Sequence, residues 1–179
     1  MKKVATLLFL FSLVLTGCKK EKSVDELPVV KPKVEESKVQ VVLDAVVKKD
    51  DSFQVFYTQD GSLNFDEKYA VRVNIKGSDT SQKIVFDLPD NIAFTYLRID
   101  IGENDKQEAI KINNLLIKYY DKKLEAKGNA CFQYFAPNDQ ITLDFPNSTL
   151  TPKHIDGKKY DAILYPLETL GPALQKLIK

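Results

Sequence analysis

The chain has 179 residues, of which 44% are hydrophobic and 28% are charged, with 26 basic side chains against 25 acidic ones. A charge balance this close to neutral excludes the basic surface with which nucleic-acid-binding proteins collect phosphate groups, so we expect no nucleic-acid partner. Two cysteines and a single histidine are too few for a disulfide framework or a structural zinc site. The composition is that of one ordinary globular domain.

The N-terminus carries the pattern of a secretory signal. A short basic region, residues 1–3, precedes an apolar run over residues 4–15, which is too short for the ~20 residues of a transmembrane helix. The following Leu15-Thr16-Gly17-Cys18 resembles the lipobox of bacterial lipoproteins. The resemblance implies a lipoprotein signal peptide over residues 1–17 and lipidation of Cys18; the alternative is an ordinary secreted start with a chance cysteine.

Residues 18–37 contain charges and two prolines that interrupt every apolar pair. This composition predicts a flexible tether behind the lipidated cysteine, followed by a folded domain over residues 38–179. Lys19 stands where some lipoproteins carry the aspartate that retains them at the inner membrane. We therefore expect a membrane partner, through the lipid anchor, and a location in the cell envelope at the outer membrane.

Beyond Ser37 the dominant hydrophobic period is two, which is typical of strands with one buried face. In the sixth strand, the apolar positions change parity around Asn113 and Asn114, which predicts a β-bulge. The six longer strands are predicted at residues 39–47, 53–57, 69–75, 84–88, 97–101 and 110–117. Four shorter ones are predicted at residues 124–127, 131–135, 141–145 and 160–165.

Strands at regular spacing, without helices long enough for crossovers, predict an all-β, antiparallel β-sandwich. The one helical candidate is C-terminal, where leucines from Leu167 onward are spaced for one helix face. We expect Gly171-Pro172 to break or restart this short helix after one turn, and the helix to cover one end or edge of the sandwich.

Three segments, residues 83–89, 96–102 and 109–118, carry a family resemblance. They look like the core of jelly-roll domains of the galactose-binding or carbohydrate-binding-module type, which accompany envelope proteins and proteins that build surface polysaccharides. The resemblance covers about residues 39–118. It implies a jelly-roll sandwich and a carbohydrate ligand.

The predicted fifth strand carries a candidate ligand surface. Tyr96, Arg98 and Asp100 alternate with Leu97 and Ile99, so the three polar side chains project from one face if the leucine and isoleucine face the core. An aromatic ring beside a fork of donors and a carboxylate suits a sugar. The alternative is a solvated sheet face with an ion pair of little consequence.

A candidate metal site follows this strand. Asp100, Glu103 and Asp105 crowd one loop and would supply oxygen ligands to a structural calcium ion, although their spacing is not that of an EF-hand. An acidic loop of this kind is otherwise simply hydrated. We expect no cofactor and keep structural calcium as the alternative.

No motif marks a catalytic centre. Cys131 and His154 are a nucleophile and a base by residue type, but nothing in the sequence places them together. We therefore expect no enzyme, with a hydrolase left open by the number of carboxylates.

The expected function is a lipid-anchored envelope binding or accessory module that recognises a carbohydrate or an envelope protein. The alternative is a structural or protein-interaction lipoprotein without a small-molecule ligand.

Overall fold

The computed structural model describes residues 38–179, so the predicted signal peptide, Cys18 and the tether lie outside the described residues. Within residues 38–179 the chain forms eleven strands in two antiparallel sheets and one short C-terminal α-helix. This architecture confirms the predicted all-β sandwich and is compatible with a jelly roll. None of the helices in this part of the chain has the length and apolar character needed to cross a membrane.

The elements follow one another in this order: β1 (Val39–Val46), β2 (Asp51–Thr58), β3 (Ala70–Ile75), β4 (Gln82–Leu88), β5 (Tyr96–Asp100), β6 (Ile110–Tyr119), β7 (Lys122–Lys127), β8 (Phe135–Pro137), β9 (Ile141–Asp144), β10 (Thr149–Pro152), β11 (Ile163–Pro166) and α1 (Leu170–Ile178). The first sheet has the order β4-β1-β6-β10-β9, and β7 also pairs with β6. The second sheet has the order β3-β2-β5-β11-β8.

The core lies between the two sheets and is built from the apolar half of each alternating strand. In β4 the burial pattern alternates strictly, with Ile84, Phe86 and Leu88 buried and the residues between them at least partly exposed. The second sheet contributes Leu97 and Ile99, which are almost wholly buried. Burial of each such side chain stabilises the fold by roughly 1.5 to 3 kcal/mol, which is why a one-residue slip in register is not tolerated.

The predicted β-bulge in β6 is confirmed. Asp44 of β1 pairs with Asn114 and the next residue, Ala45, pairs with Ile112, so Asn113 is the extra residue. The edge partner of β6 also changes at this point, since β10 pairs with residues 110–111 and β7 with residues 114–119. The bulge therefore divides β6 into two halves with different neighbours.

One predicted strand, over residues 131–135, is wrong. Residues Gly128–Gln133 form a 3-10 helix, and the strand begins only at Phe135. Cys131 and Phe132 are consecutive and both buried. A strand with one buried face would expose one of two consecutive side chains, whereas a helical turn can bury both. The short strand β10 was not expected, because Thr149–Pro152 contains a single large apolar residue, Leu150.

The helix α1 is continuous from Leu170 to Ile178, so the expected break at Gly171-Pro172 is wrong. Because the helix begins at Leu170, both residues lie in its first turn, where a backbone N–H has no intrahelical acceptor and proline removes nothing. The helix buries Leu170, Leu174 and Leu177 and packs against β7 and β5. It therefore covers an edge of the sandwich, as expected.

Candidate functional site

The fifth strand has the predicted alternation. Leu97 and Ile99 are buried, while Tyr96, Arg98 and Asp100 are partly exposed and share the outer face of the second sheet. Beside them, in register on β2, lies Phe56, which pairs with Arg98. The structure thus brings the three predicted ligand-binding residues to one face, and their contacts decide what that face offers to a ligand.

Arg98 is held on several sides by the protein itself. Its Nε and Nη2 donate to the two carboxylate oxygens of Asp100 at 2.8 and 2.7 Å. Its guanidinium carbon lies 4.0 Å from the ring centroid of Phe56 and 5.4 Å from that of Phe65. A bidentate ion pair stacked on aromatic rings is a strong arrangement for arginine. Most of the recognition capacity of Arg98 is therefore used within the chain.

Asp100 is held away from water. Burial raises the pKa of Asp100 above its ordinary value, and the hydrogen bonds from Arg98 oppose that rise without cancelling it. The side chains of the pair are only 18% and 17% exposed. Arg98 thus opposes the effect of burial on the ionisation of Asp100, which is the behaviour of a structural pair.

The ring of Tyr96 is only partly exposed, whereas its predicted role requires an exposed side chain. A β-carbon placed on Gly171 of α1 would lie 2.9 Å from the hydroxyl of Tyr96 and 3.0 Å from its Cζ, so the helix backbone passes directly over the ring. Only a glycine permits this approach. The first turn of α1 therefore covers part of the ring that would have stacked on a sugar.

The acidic loop after β5 is organised by a carboxylate that the sequence did not single out. Asp51 accepts hydrogen bonds from the backbone N–H groups of Glu103 and Asn104 at 2.8 and 3.1 Å, and from the side-chain amide of Gln107 at 2.8 Å. Gly102, at φ +129°, allows the chain to pass close to this carboxylate. The loop is closed by side-chain and backbone hydrogen bonds.

The structure does not assemble the predicted metal ligands. Asp100 pairs with Arg98, Glu103 pairs with Arg72, and the backbone carbonyl of Asp105 contacts the ring of His154. Among the residues that the structure describes, no group of three or more His, Cys, Asp or Glu side chains is placed to hold a metal ion. Structural calcium at this loop gains no geometric support.

Cys131 and His154 lie in different surroundings. Burial raises the pKa of the Cys131 thiol to about 12, so the nucleophilic thiolate is disfavoured. His154 is exposed and its ring lies 5.7 Å from that of Tyr160. Within residues 38–179 no hydrogen bond joins the two side chains, and the structure does not bring them together as a nucleophile and a base.

A different surface has the form of a binding site. The outward side chains of β4, β1, β6 and β7 line a depression of about 520 Å³ on the outer face of the first sheet. We call this surface the open face. Its lining residues are Gln40, Val42, Asp44, Lys83, Val85, Asp87, Asn114, Leu116, Lys118 and Glu125.

The strand register arranges the open face in three rows across the strands. The central row is mainly aliphatic, because Val42 pairs with both Val85 and Leu116. One polar row runs through Asp87, Gln40 and Lys118, and the other through Lys83, Asp44 and Asn114. Since alternate residues of a strand are about 6.7 Å apart, the two polar rows lie roughly 13 Å from each other, with the aliphatic row between them.

The first polar row is a connected chain of hydrogen bonds. The side-chain amide of Gln40 donates to Asp87 at 2.7 Å, and Lys118 donates to the amide oxygen of Gln40 at 3.1 Å. Gln40 itself is buried in the floor of the depression. Its neighbours are therefore fixed in place before any ligand arrives, which reduces the ordering cost of binding.

The second polar row contains an unused acceptor. Asn114 donates from Nδ2 to Glu125 at 3.0 Å, and this hydrogen bond lowers the pKa of Glu125. Its own Oδ1 is inaccessible to water and has no hydrogen-bond partner among residues 38–179. A buried acceptor left unpaired costs about 1 to 3 kcal/mol, so the position is stabilised by a donor that reaches Oδ1 once the side chains around it move aside.

The sequence alone did not predict that the residues of the open face lie together. Eight of the ten side chains belong to predicted strands, and Lys83 and Lys118 lie one residue outside the predicted bounds. Only the pairing of β1 with β4 and β6, and of β6 with β7, sets them side by side. The chain matches no protein-family model, no curated protein and no solved structure.

Proposed function

We propose that this protein is a non-catalytic, lipid-anchored binding module of the bacterial cell envelope, and that it binds a glycan on the open face of its first sheet. The observation that carries the proposal is the unpaired, buried Oδ1 of Asn114 within a row of ordered polar side chains. Unpaired buried acceptors are rare in native proteins and call for an explanation, and a ligand hydroxyl is a suitable donor for this one.

The residue types of the open face suit a polyhydroxylated ligand. Amides and carboxylates offer the paired donor and acceptor positions that neighbouring sugar hydroxyls require. The aliphatic row of Val42, Val85 and Leu116 offers a surface for the C–H groups of a sugar ring. Three carboxylates and two lysines line the depression, so it has no strong charge of one sign that would favour a highly charged ligand.

The same geometry favours binding over hydrolysis. A glycosidase requires a carboxylic acid whose pKa is raised, so that it can donate a proton to the leaving group. On the open face, the pKa of Glu125 is lowered by Asn114 and by neighbouring lysines. The raised pKa of Asp100 belongs to the other sheet, where its partner is Arg98. A binding module of the outer membrane is the simplest function for such a face.

Lipid anchoring is tested separately from glycan binding. Cys18→Ser removes the thiol that would receive the diacylglycerol, because a serine hydroxyl is not a substrate for that transfer. We expect the variant to accumulate as an unprocessed precursor without acyl label in metabolically labelled cells. Normal labelling and maturation of the variant would refute the lipoprotein assignment.

Glycan binding is tested with a matched pair of variants. The purified chain is applied to a glycan array, and the best glycan is then titrated calorimetrically. Asn114→Leu removes the acceptor, so we expect binding to weaken about tenfold, which is ~1.4 kcal/mol. Thermal stability should change little, because the gain from removing an unpaired buried oxygen offsets the loss of the hydrogen bond to Glu125.

The control variant is Asp161→Asn, which changes one of the residues around a second depression beside Asp100. It should leave the affinity unchanged. Loss of binding in this variant and not in Asn114→Leu would move the site to the other sheet. No response to any glycan, together with a stoichiometric envelope protein bound to the chain, would replace the proposal with the structural or protein-interaction role.

A further inference from the structure

A third depression, adjacent to the open face, lies between β7 and α1. Its volume is about 430 Å³. Apolar side chains of Leu124, Ala173 and Leu177 form part of its lining, and the other lining residues are all lysines. These are Lys122, Lys123 and Lys176.

The lysines of this groove are poorly neutralised. Lys123 pairs with Glu125 at 3.4 Å, whereas Lys122 and Lys176 have no ion-pair partner among residues 38–179. All three side chains are exposed. Lysines on an apolar floor lay their methylene stems along that floor and present their ammonium groups outward. This arrangement suits an anionic group that is attached to something apolar.

The groove lies at the end of the domain where the chain enters β1. Lys38, the first described residue, accepts a hydrogen bond on its carbonyl from the N–H of Tyr120 at 2.8 Å. Tyr120 lies in the turn between β6 and β7, directly before the lysines of the groove, and its side chain is 41% exposed. The start of β1 and the lysine groove therefore share one end of the sandwich.

We infer that this end of the domain is a docking surface for an anionic lipid membrane, with the lysine groove receiving phosphate headgroups. The inference rests on the proposed anchoring of Cys18, since residues 18–37 span at most about 70 Å and hold the domain close to the bilayer. At such a distance a weak headgroup contact is enough to orient the domain, because the second binding event is intramolecular. Exposed tyrosine beside lysine is also a combination common at membrane surfaces.

Docking in this orientation has a consequence for the proposed glycan site. The groove adjoins the open face, because Lys123 of the groove pairs with Glu125 of that face. Of the three rows, the one with Lys118 lies nearest to the β6–β7 turn, and the one with Asn114 lies roughly 13 Å farther along the strands. A domain that stands on its lysine end therefore keeps the Asn114 row at a distance from the bilayer.

The test uses the full chain with vesicles of phosphatidylcholine alone or mixed with phosphatidylglycerol. Hydrogen–deuterium exchange is measured on the β6–β7 turn and on the last turn of α1, and co-sedimentation gives the partition coefficient. Each lysine near an anionic surface contributes roughly a fivefold gain in partitioning. We expect protection only with phosphatidylglycerol, and about a 25-fold loss of partitioning in Lys122→Gln/Lys176→Gln.

The matched control is Lys153→Gln/Lys159→Gln, which removes the same charge from two exposed lysines in the loop before β11. That loop lies at the other end of β6, because His154 within it contacts the carbonyl of Asp105. Partitioning of the control should equal that of the parent chain. Equal losses in both double variants would show a non-specific charge effect and would overturn the docking surface.

Intact-mass measurement of the same samples separates the two proposals. If the chain is acylated but phosphatidylglycerol does not protect it from hydrogen exchange, the lipid anchor is supported and the docking surface is refuted. A chain without acylation that still partitions through Lys122 and Lys176 would refute the anchor and support the docking surface.

Discussion

The outer faces of the two sheets begin from the same sequence pattern and differ in how their polar side chains are paired. We call the outer face of the second sheet, around Tyr96, Arg98 and Asp100, the covered face. There Arg98 lies over Phe56, and its ion pair with Asp100 is mostly shielded from water. On the first sheet, the open face keeps a solvent-facing depression and an unpaired Oδ1 on Asn114. Alternation of apolar and polar residues therefore identifies an outward side chain but does not say whether that side chain is exposed to water.

The source of the difference lies in segments outside the strands. The connection between β2 and β3 places Phe65 against Phe56, with the ring centroids 6.5 Å apart. From the C-terminus, the first turn of α1 brings Gly171 against Tyr96. Each of these covers part of the second sheet. The second sheet also has a depression, beside Asp100, but the unpaired Oδ1 of Asn114 lies on the first sheet, which is why the proposed ligand site is placed there.

The largest expected effect comes from truncating an aromatic ring on the covered face. Phe56 is an outward residue but only 4% exposed, so Phe56→Ala should destabilise the protein by about 3 kcal/mol or more through the cavity left under Arg98. The matched variant on the open face, Val85→Ala, should cost less than about 1 kcal/mol, because Val85 is 36% exposed. Chemical denaturation measures both. Equal costs would remove the distinction between the two faces.

A smaller effect is expected from separating the ion pair of the covered face. Arg98→Gln leaves Asp100 partly buried without its cation, so we expect a loss of about 2 kcal/mol at neutral pH and a further rise in the pKa of Asp100. A carboxylate whose pKa is raised in the folded state stabilises the protein at low pH and loses that stabilisation as pH rises through the folded pKa. The variant should therefore lose stability more steeply above the ordinary aspartate pKa of 3.8.

Carbon-13 NMR titration of the Asp100 carboxyl, together with unfolding free energies across the acidic range, checks the Arg98→Gln prediction. The conservative variant Arg98→Lys retains the charge and should show a smaller rise in the Asp100 pKa. An unchanged pKa in Arg98→Gln would show that the pair does not control the ionisation of Asp100, and the covered face would then be ordinary solvated surface.

A still smaller effect is expected at the contact between α1 and Tyr96. Gly171→Ala gains helix propensity but places a methyl group against the tyrosine ring, so we expect a net loss of about 1 kcal/mol. In the Tyr96→Ala background the same change should be neutral or stabilising, since the obstruction is gone. A double-mutant cycle by thermal unfolding gives the coupling. No coupling between the two positions would mean that α1 does not cover Tyr96 in solution.

The smallest effect is expected on the open face. Asp44 is partly exposed and hydrogen-bonds to Ser81, so Asp44→Asn should change the unfolding free energy by less than about 0.5 kcal/mol. If the glycan proposal is correct, the same variant weakens glycan binding measurably by calorimetry. A large loss of stability would show that the polar rows of the open face are structural.

Some features of the molecule were determined by the sequence by itself. The alternation of β4 and β5 predicted which residues are buried, and the change of parity in β6 predicted the bulge at Asn113. These are local properties, because successive side chains of a strand point to opposite faces whatever the strand pairs with. The C-terminal helix was predictable from the spacing of its leucines for the same reason.

Other features were decided only by the tertiary structure. The rows of the open face depend on the register of β1 with β4 and β6, and the closing of the acidic loop depends on Asp51, 52 positions before Glu103. Likewise, Tyr96 meets Gly171 only after the helix has docked on the sandwich. Contacts between distant segments depend on how the whole chain packs. For that reason, the sequence identified Tyr96, Arg98 and Asp100 as outward residues, while the fold determined that Arg98 and Asp100 pair with each other and that Tyr96 lies against α1.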